Sequence, residues 1–205
     1  MTDTRYKPRP TKEAIAELPP FQGLPLDRIE LLKTAEQFVA AMIEIEKERY
    51  IGFDTESKPI FTKNVVQSGP HVVQFALRDR AYVVQVADTE SHAFLKAVLE
   101  SADIVKVGFG LKSDTSQLLH KLGIRLAGTV DLTQPLRTLG YKEALGAKVA
   151  VAVVLGQRLQ KSRSVTTSNW EAPQLSPNQL IYAANDAYAA LAIFHAFNAR
   201  KQAPL

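Results

Sequence analysis

The six residues from Ile51 to Glu56 constrain the fold of this chain more than any other stretch. They read Ile-Gly-Phe-Asp-Thr-Glu, an apolar start typical of a buried strand followed by two carboxylates that flank one threonine. Successive side chains of a strand alternate between its two faces, so Asp54 and Glu56 point to the same side. Two carboxylates side by side at a strand end provide half of a binding site for a hard cation. We therefore expect the fold to bring further acids to this strand end.

Hydrophobic periodicity divides the chain into a first half rich in strands and a second half in which strands and helices alternate. Short polar connections between the early strands are typical of an antiparallel meander. The predicted strands are Ile51–Thr55, Val72–Leu77, Tyr82–Val86, Ile104–Val107 and Thr129–Leu132. The predicted helices run from about Thr34 to Lys47 and over Ser91–Glu100, Lys112–Leu122, Pro135–Leu139, Lys142–Leu155 and Pro177–Arg200. This pattern predicts an α/β fold, a mixed sheet of five to six strands flanked by helices.

The length of 205 residues fits one globular domain with a full core. Prolines are concentrated near the N-terminus, where they remove backbone donors and favour extended chain. We predict a basic, proline-rich N-terminal lead-in over residues 1–33, with a short helix at about Thr11–Leu18. The folded domain is predicted over residues 34–200, followed by a tail over residues 201–205.

The net charge is +4, from 25 basic and 21 acidic residues. The first twelve residues hold four basic side chains against one aspartate, which is +3 of that total. Two interpretations of this segment stay open: a solvated tail, or a basic arm that contacts phosphate groups. Basic tails are common, so the solvated tail is the interpretation that we favour.

The chain contains no cysteine, which excludes disulfides, thiolate zinc sites and a cysteine nucleophile. No apolar run approaches the roughly 20 residues of a membrane span, and the N-terminus lacks the layout of a signal peptide. We therefore expect a cytoplasmic protein with no membrane partner.

Two further places in the sequence carry acids in helices. Asp114 lies in the first turn of a predicted helix, where an acid commonly serves only to favour the helix dipole. Tyr182 and Asp186 lie four residues apart in the last helix, so they share one face. An ordinary hydrogen bond at the helix surface explains this pair equally well, and the alanines around it let the helix approach a sheet closely.

Three segments together resemble a known family. Phe53–Glu56, Val107–Asp114 and Tyr182–Asp186 resemble, in order and spacing, the three motifs of the DEDDy class of 3′→5′ exonucleases. This class includes ribonuclease D and the Werner-syndrome-type exonuclease domain, and the stretch Lys161–Asp186 is similar to those two in particular. The resemblance implies a ribonuclease-H-like fold.

The resemblance also implies the site residues and their chemistry. Two divalent cations, Mg²⁺ or Mn²⁺, would activate a water and stabilise the leaving 3′-oxygen. Tyr182 would orient the attacking water by a hydrogen bond, and Glu56 would also hold water or the terminal 3′-hydroxyl. The implied catalytic residues are Asp54, Glu56, Asp114, Tyr182 and Asp186, and the four acids among them are the implied metal ligands.

The expected function is that of a metal-dependent 3′→5′ exonuclease that releases nucleoside 5′-monophosphates from nucleic-acid 3′ ends, with DNA favoured. The first alternative is a ribonuclease-D-like exonuclease that processes RNA 3′ ends. The second alternative is a nucleic-acid-binding module without catalysis. Nucleic acid is thus the expected partner, and the sequence leaves protein partners open.

Candidate contacts with the nucleic acid are Thr55, Phe109, Lys161 and Asn169. Each has a structural alternative. Thr55 equally suits packing on the opposite face of its strand, and Phe109 either stacks on a base or packs in the core. Lys161 and Asn169 belong to a polar and basic stretch that is either a flap over the site or a capped loop, and within it we favour core packing for Trp170.

Overall fold

The structure is a computed structural model that describes residues 6–60, 68–87 and 90–202. Its strands in chain order are β1 Ile29–Leu32, β2 Tyr50–Glu56, β3 Val72–Ala76, β4 Ala81–Gln85, β5 Val105–Gly108 and β6 Thr129–Asp131. They form one six-stranded sheet in the order β1–β4–β3–β2–β5–β6. The number of strands is the upper value of the predicted range.

The sheet combines antiparallel and parallel pairs. β2, β3 and β4 form the predicted antiparallel meander. β5 and β6 extend the sheet in parallel beyond β2, and β1 pairs in parallel with β4 at the other edge. The strand that carries Asp54 and Glu56 is therefore an interior strand, and Asp54 lies directly opposite Gln74 of β3.

The helices are α1 Lys12–Ala16, α2 Ala35–Ile45, α3 Ser91–Glu100, α4 Lys112–Leu122, α5 Ala147–Ala150, α6 Arg163–Thr166 and α7 Pro177–Gln202. Thr34 and Gln37 form a capping box at the start of α2, which satisfies two backbone donors there. Gly123 ends α4 in the left-handed conformation, with φ of 65°. The glycine explains why α4 ends where predicted, and the apolar periodicity of α3 accounts for its predicted range.

The two faces of the sheet are covered differently. On one face, side chains of β2 and β3 such as Phe53 pack with the apolar sides of α2, α3 and α4. On the other face lies α7, whose buried alanines pack against the strands, as the alanine-rich sequence predicts. A Cβ atom at Gly52 would collide with the carbonyl oxygen of Ala187, so this glycine permits α7 to cross β2 at close range.

The N-terminal segment differs from the expectation for residues 1–33. β1 belongs to that range and is a paired strand of the sheet, and Leu24 is buried. The strand was not predicted because it is only four residues long and lacks a clear apolar alternation. The short helix α1 lies within the predicted range, and Thr11 caps it by accepting a hydrogen bond from Ala14 N.

The described part of the basic segment is docked on the domain. Lys7 N donates to Gly140 O at 2.8 Å, and Phe21 N donates to Arg158 O at 2.9 Å. Asn185 of α7 accepts from Leu24 N at 2.6 Å. From residue 6 onward, therefore, the solvated-tail interpretation is wrong, because main-chain hydrogen bonds hold the segment in place.

The region before α7 contains two departures from the predicted helices. The helix expected over Lys142–Leu155 begins at Ala147, and its second part, Val151–Leu155, is π-helical. Gly146 precedes the helix, and a glycine within it would be unfavourable. The short helix α6 was not predicted, since its sequence Arg-Ser-Val-Thr has no apolar periodicity.

The segment Pro177–Arg200 of α7 is long and apolar enough to span a membrane by those two criteria alone. Half of the most apolar 18-residue stretch within it is buried inside the protein, because α7 packs along the sheet. A core helix of this length meets the same criteria, so the composition of α7 follows from its place in the fold.

Candidate active site

The carboxyl end of β2 meets the middle of α7, and three carboxylates converge there. Asp54 and Glu56 come from the strand and Asp186 from the helix. One carboxylate oxygen from each lies within 4.8 Å of the other two. The strand end therefore receives an acid from the far half of the chain, as the sequence predicts.

The electrostatics of this carboxylate cluster, defined as Asp54, Glu56 and Asp186, favour protonation in the absence of a cation. Burial is the largest cause and, together with repulsion from neighbouring acids, raises the pKa of Asp54 to about 8. The pKa of Glu56 rises to about 9 for the same two reasons. Burial also raises the pKa of Asp186, against the attraction of Lys161. A cation placed among these oxygens would remove the repulsion.

Asp114 approaches the same strand end from the opposite layer. It lies in the first turn of α4 and is buried. Its Oδ1 accepts a hydrogen bond from Thr55 Oγ1 at 2.5 Å, and burial raises its pKa. Among the described residues it lies outside the group whose ligand oxygens are within 4.8 Å of one another. Thr55, the residue between the two strand acids, thus connects β2 to Asp114.

Lys161 and Tyr182 flank Asp186. Lys161 Nζ donates to Asp186 Oδ2 at 2.6 Å and lies 5.6 Å from the centre of the Tyr182 ring. Although burial opposes the charged form, attraction to Asp186 raises the pKa of Lys161 above its usual range. Burial, with the nearby Asp186 charge, raises the pKa of Tyr182 to about 12. Near neutral pH the ammonium is therefore charged and the phenol keeps its proton.

The other predicted substrate contacts lie in different settings. Phe109 is half-buried and packs against the apolar cluster that includes Val107 and Leu132. Asn169 is exposed, and its Oδ1 accepts from Glu171 N at 3.2 Å. Trp170 is fully buried, which confirms core packing for this residue.

A match to a family model assigns the chain to a known family. A family model described as 3′-5′ exonuclease matches residues 29–201 of the chain. The chain belongs to the 3′-5′ exonuclease family. Its matched range begins at β1 and includes all three elements that carry the carboxylates.

Relatives in this exonuclease family support the assignment. The bifunctional 3′-5′ exonuclease/ATP-dependent helicase WRN of Mus musculus is 33% identical over 147 residues, which cover 70% of this chain and 10% of that protein. The present chain thus spans about a tenth of that relative.

Solved structures in the family share the fold. The Aedes aegypti Nibbler EXO domain has a TM-score of 0.73 at 24% identity, covering 86% of this chain and 90% of that one. Trypanosoma brucei RNase D in complex with RNA U12 has a TM-score of 0.73 at 20% identity, covering 86% of this chain and 64% of that one. Together with the mixed sheet, these likenesses confirm the expected ribonuclease-H-like fold.

The donor set of the exonuclease site fits a divalent metal ion, which this family generally uses. Carboxylate oxygens are the ligands that hard cations such as Mg²⁺ prefer. The cluster gathers three carboxylates whose pKa values are raised above all by burial. Asp54, Glu56 and Asp186 would hold such an ion.

Sequence reasoning missed Asp131, which supports the second exonuclease motif. It ends β6, and its carboxylate accepts hydrogen bonds from Gly110 N at 3.0 Å and Leu111 N at 3.1 Å. Burial alone would raise its pKa, but hydrogen bonds from Thr133, Gly110 and Leu111 lower it. Asp131 therefore fixes the loop that leads into α4 and Asp114. Its position at the carboxyl end of a predicted parallel strand was the feature of the sequence that could have identified it.

Gln74 was missed as well. It is fully buried in β3, directly opposite Asp54. Neither atom of its side-chain amide has a hydrogen-bond partner within the described parts of the chain. The signal was one polar residue in the apolar strand Val-Val-Gln-Phe-Ala. Its place beside Asp54 makes it a neighbour of the carboxylate cluster on the α7 face.

Proposed function

We propose that this protein is a 3′→5′ exonuclease that hydrolyses nucleic-acid phosphodiesters and releases nucleoside 5′-monophosphates. The observation that carries the proposal is the convergence of three carboxylates within 4.8 Å, one turn of α7 away from Tyr182. Two divalent cations, Mg²⁺ or Mn²⁺, are the proposed cofactors. When bound, they supply an activated water and stabilise the leaving 3′-oxygen.

Each residue of the site has a proposed part in this reaction. The carboxylate cluster holds the cofactor, and Asp114 contributes from the other layer, with its carboxylate oriented by Thr55. The phenol of Tyr182 is protonated at neutral pH, and its hydroxyl would donate a hydrogen bond that orients the attacking water. Lys161, whose ammonium donates to Asp186 here, would supply positive charge near the substrate phosphate.

DNA is the proposed substrate, and RNA is the second candidate. The structure of Trypanosoma brucei RNase D with RNA U12 supports the second candidate, since that protein shares the fold. A binding module without catalysis is less well supported, because all five residues implied for catalysis are present. We propose the cytoplasm as the location, since the chain carries no cysteine.

A degradation assay tests the proposal. Single-stranded DNA, duplex DNA with a recessed end and single-stranded RNA, each labelled at the 5′ end, are incubated with Mg²⁺, Mn²⁺ or a chelator. We expect a metal-dependent ladder that shortens from the 3′ end, absent for Asp54→Ala. Asp103→Ala, at an exposed acid away from the site, is the matched control and should degrade normally. Binding without cleavage of any of the three substrates would refute the exonuclease and support the binding module.

A further inference from the structure

A groove of about 1000 Å³ lies beside the carboxylate cluster, between the docked N-terminal segment and the chain that leads to Lys161. We call it the basic groove. Side chains of five cationic residues line it: Arg9, Lys12, Lys148, Arg158 and Lys161. Among the described residues, no acidic side chain belongs to its lining. For a chain with a net charge of only +4, this is a concentrated positive surface.

Several of these cations are available to a ligand. Within the described residues, Lys12 and Lys148 form no ion pair or side-chain hydrogen bond. Arg9 pairs with Glu143 at 3.2 Å, but both side chains of that pair are largely exposed, so the pair is weak. Arg158 is partly used by the fold, since it donates to Ala16 O at 2.6 Å, while its Nε is buried without a partner in the described chain.

Lys161 connects the basic groove to the carboxylate cluster. Lys161 lines the groove, and its ammonium contacts Asp186. A chain of phosphates that lies in the groove would therefore reach the cluster with one end. The floor of the groove contains aliphatic side chains, among them Ile15, Val149 and Leu159. Cations above an apolar floor suit a single strand, because its phosphates can contact the cations while its unpaired bases contact the aliphatic side chains. In a duplex the bases are stacked inside, and only the phosphates and groove edges are exposed.

The groove is built into the fold before any ligand binds. Arg158 N donates to Pro19 O at 2.8 Å, and Phe21 N donates back to Arg158 O at 2.9 Å. This reciprocal pair fixes the N-terminal segment alongside the chain that carries Lys161. The basic residues near the N-terminus thus become one wall of a preformed groove.

We propose that the basic groove binds the phosphodiester backbone of a single-stranded nucleic acid, upstream of the 3′-terminal nucleotide held at the carboxylate cluster. This inference rests on the proposed exonuclease function, which places the 3′ end of the nucleic acid at the carboxylate cluster. It adds a binding site, formed by the N-terminal segment and α5, to the site formed by the three exonuclease motifs.

The test is the triple variant Arg9→Gln, Lys12→Gln, Lys148→Gln in the full chain. Binding to labelled single-stranded DNA, single-stranded RNA and duplex DNA is measured in chelator, where no hydrolysis occurs, over a range of salt concentrations. Loss of three phosphate contacts should weaken binding about 10- to 100-fold and lower the slope of log K against log [salt] by about 2. Cleavage of a dinucleotide, too short to enter the groove, should stay at the parental rate.

The matched control is Lys47→Gln, Arg78→Gln, Lys96→Gln, which removes the same charge from exposed positions away from the groove. The control should bind as the parent does. Melting temperature checks that both variants fold, and Lys148→Gln alone serves if the triple variant does not. Equal binding by the groove variant and the control would overturn the groove, as would a loss confined to duplex DNA. A parent that binds through the groove but cleaves nothing would refute the exonuclease proposal alone.

Discussion

The two faces of the sheet at the end of β2 hold their acids in different ways. On the α7 face, Asp54, Glu56 and Asp186 lie together, and Lys161 is the cation that offsets their charge. On the α4 face, Asp114 stands apart and is held by the neutral hydroxyl of Thr55. Grouped carboxylates repel one another as anions, whereas the hydrogen bond from Thr55 lowers the pKa of Asp114 and offsets part of the effect of burial. We propose from this difference that the α7 face determines cofactor binding and that the α4 face completes it.

The largest expected effect is a difference in activity and metal binding between variants of Asp186 and Asp114. Asp186→Asn should reduce kcat by about 1000-fold or more and abolish Mn²⁺ binding in calorimetry, because one ligand of the cluster becomes neutral. Asp114→Asn should reduce kcat by about 10- to 100-fold with Mn²⁺ binding largely kept. Equal loss of Mn²⁺ binding in both variants would contradict the proposal that the two faces contribute differently to cofactor binding.

The second effect concerns stability against pH in the metal-free protein. The pKa values of Asp54 and Glu56 are raised in the folded state, so their protonated forms stabilise the fold below about pH 4. That stabilisation should be lost as the pH rises through 8 to 9, lowering the free energy of unfolding by a few kcal/mol. Chemical denaturation at several pH values measures it. Saturating Mg²⁺ should flatten the profile, and a slope unchanged by Mg²⁺ would argue against cation binding at the cluster.

A third prediction concerns the ammonium on the α7 face. Lys161→Met should tighten Mn²⁺ binding about tenfold, because the ion no longer competes with a charge-assisted hydrogen bond to Asp186. The same change should lower kcat/KM on DNA through the loss of a phosphate contact. Calorimetry and steady-state kinetics measure the two effects separately. Weaker Mn²⁺ binding in Lys161→Met would show that the ammonium supports the metal site rather than competing for it.

On the α4 face, Thr55→Val should lower kcat by roughly three- to tenfold, since Asp114 loses the donor that orients it. Thr55→Ser keeps the hydroxyl and should restore most of the activity. If Thr55→Ser were as impaired as Thr55→Val, the methyl group rather than the hydrogen bond would be the important feature.

The smallest effect is on stability beside the cluster. Gln74→Leu should raise the free energy of unfolding by about 1 kcal/mol, because a buried amide without described partners is replaced by an apolar side chain of similar size. Val83→Ala, at the position opposite Gln74 on β4, should destabilise the protein instead and controls for changes in packing. Unchanged or reduced stability of Gln74→Leu would mean that the amide is satisfied in solution.

Local signals account for the parts of the fold that the sequence predicts well. The range of α3 follows from its apolar periodicity, the end of α4 from Gly123, and the meander of β2, β3 and β4 from its short turns. The short strand β1 has no such signal, because its place is decided by pairing with β4. Convergence of Asp54 and Asp186 was predicted only through a family resemblance, since spacing along the chain does not fix distance in space.

Contacts between distant segments account for what was missed. The hydrogen bond from Thr55 to Asp114 joins two layers of the fold, and the strand pattern alone cannot anticipate it. The basic N-terminal segment docks through main-chain atoms of Lys7 and Phe21, which any residue offers, so composition suggested a free tail. The basic groove could not be predicted for this reason.

The contact between Gly52 and Ala187 has a consequence for the dimensions of the site. Asp54 follows Gly52 by two residues on β2, and Ala187 follows Asp186 directly on α7. The bare backbone at 52 and the carbonyl of Ala187 meet with no side chain between them. The distance between β2 and α7, and with it the distance between Asp54 and Asp186, therefore depends on the absence of a side chain at position 52. The size of a site that must fit an ion of fixed radius is thus set by a glycine that binds nothing itself.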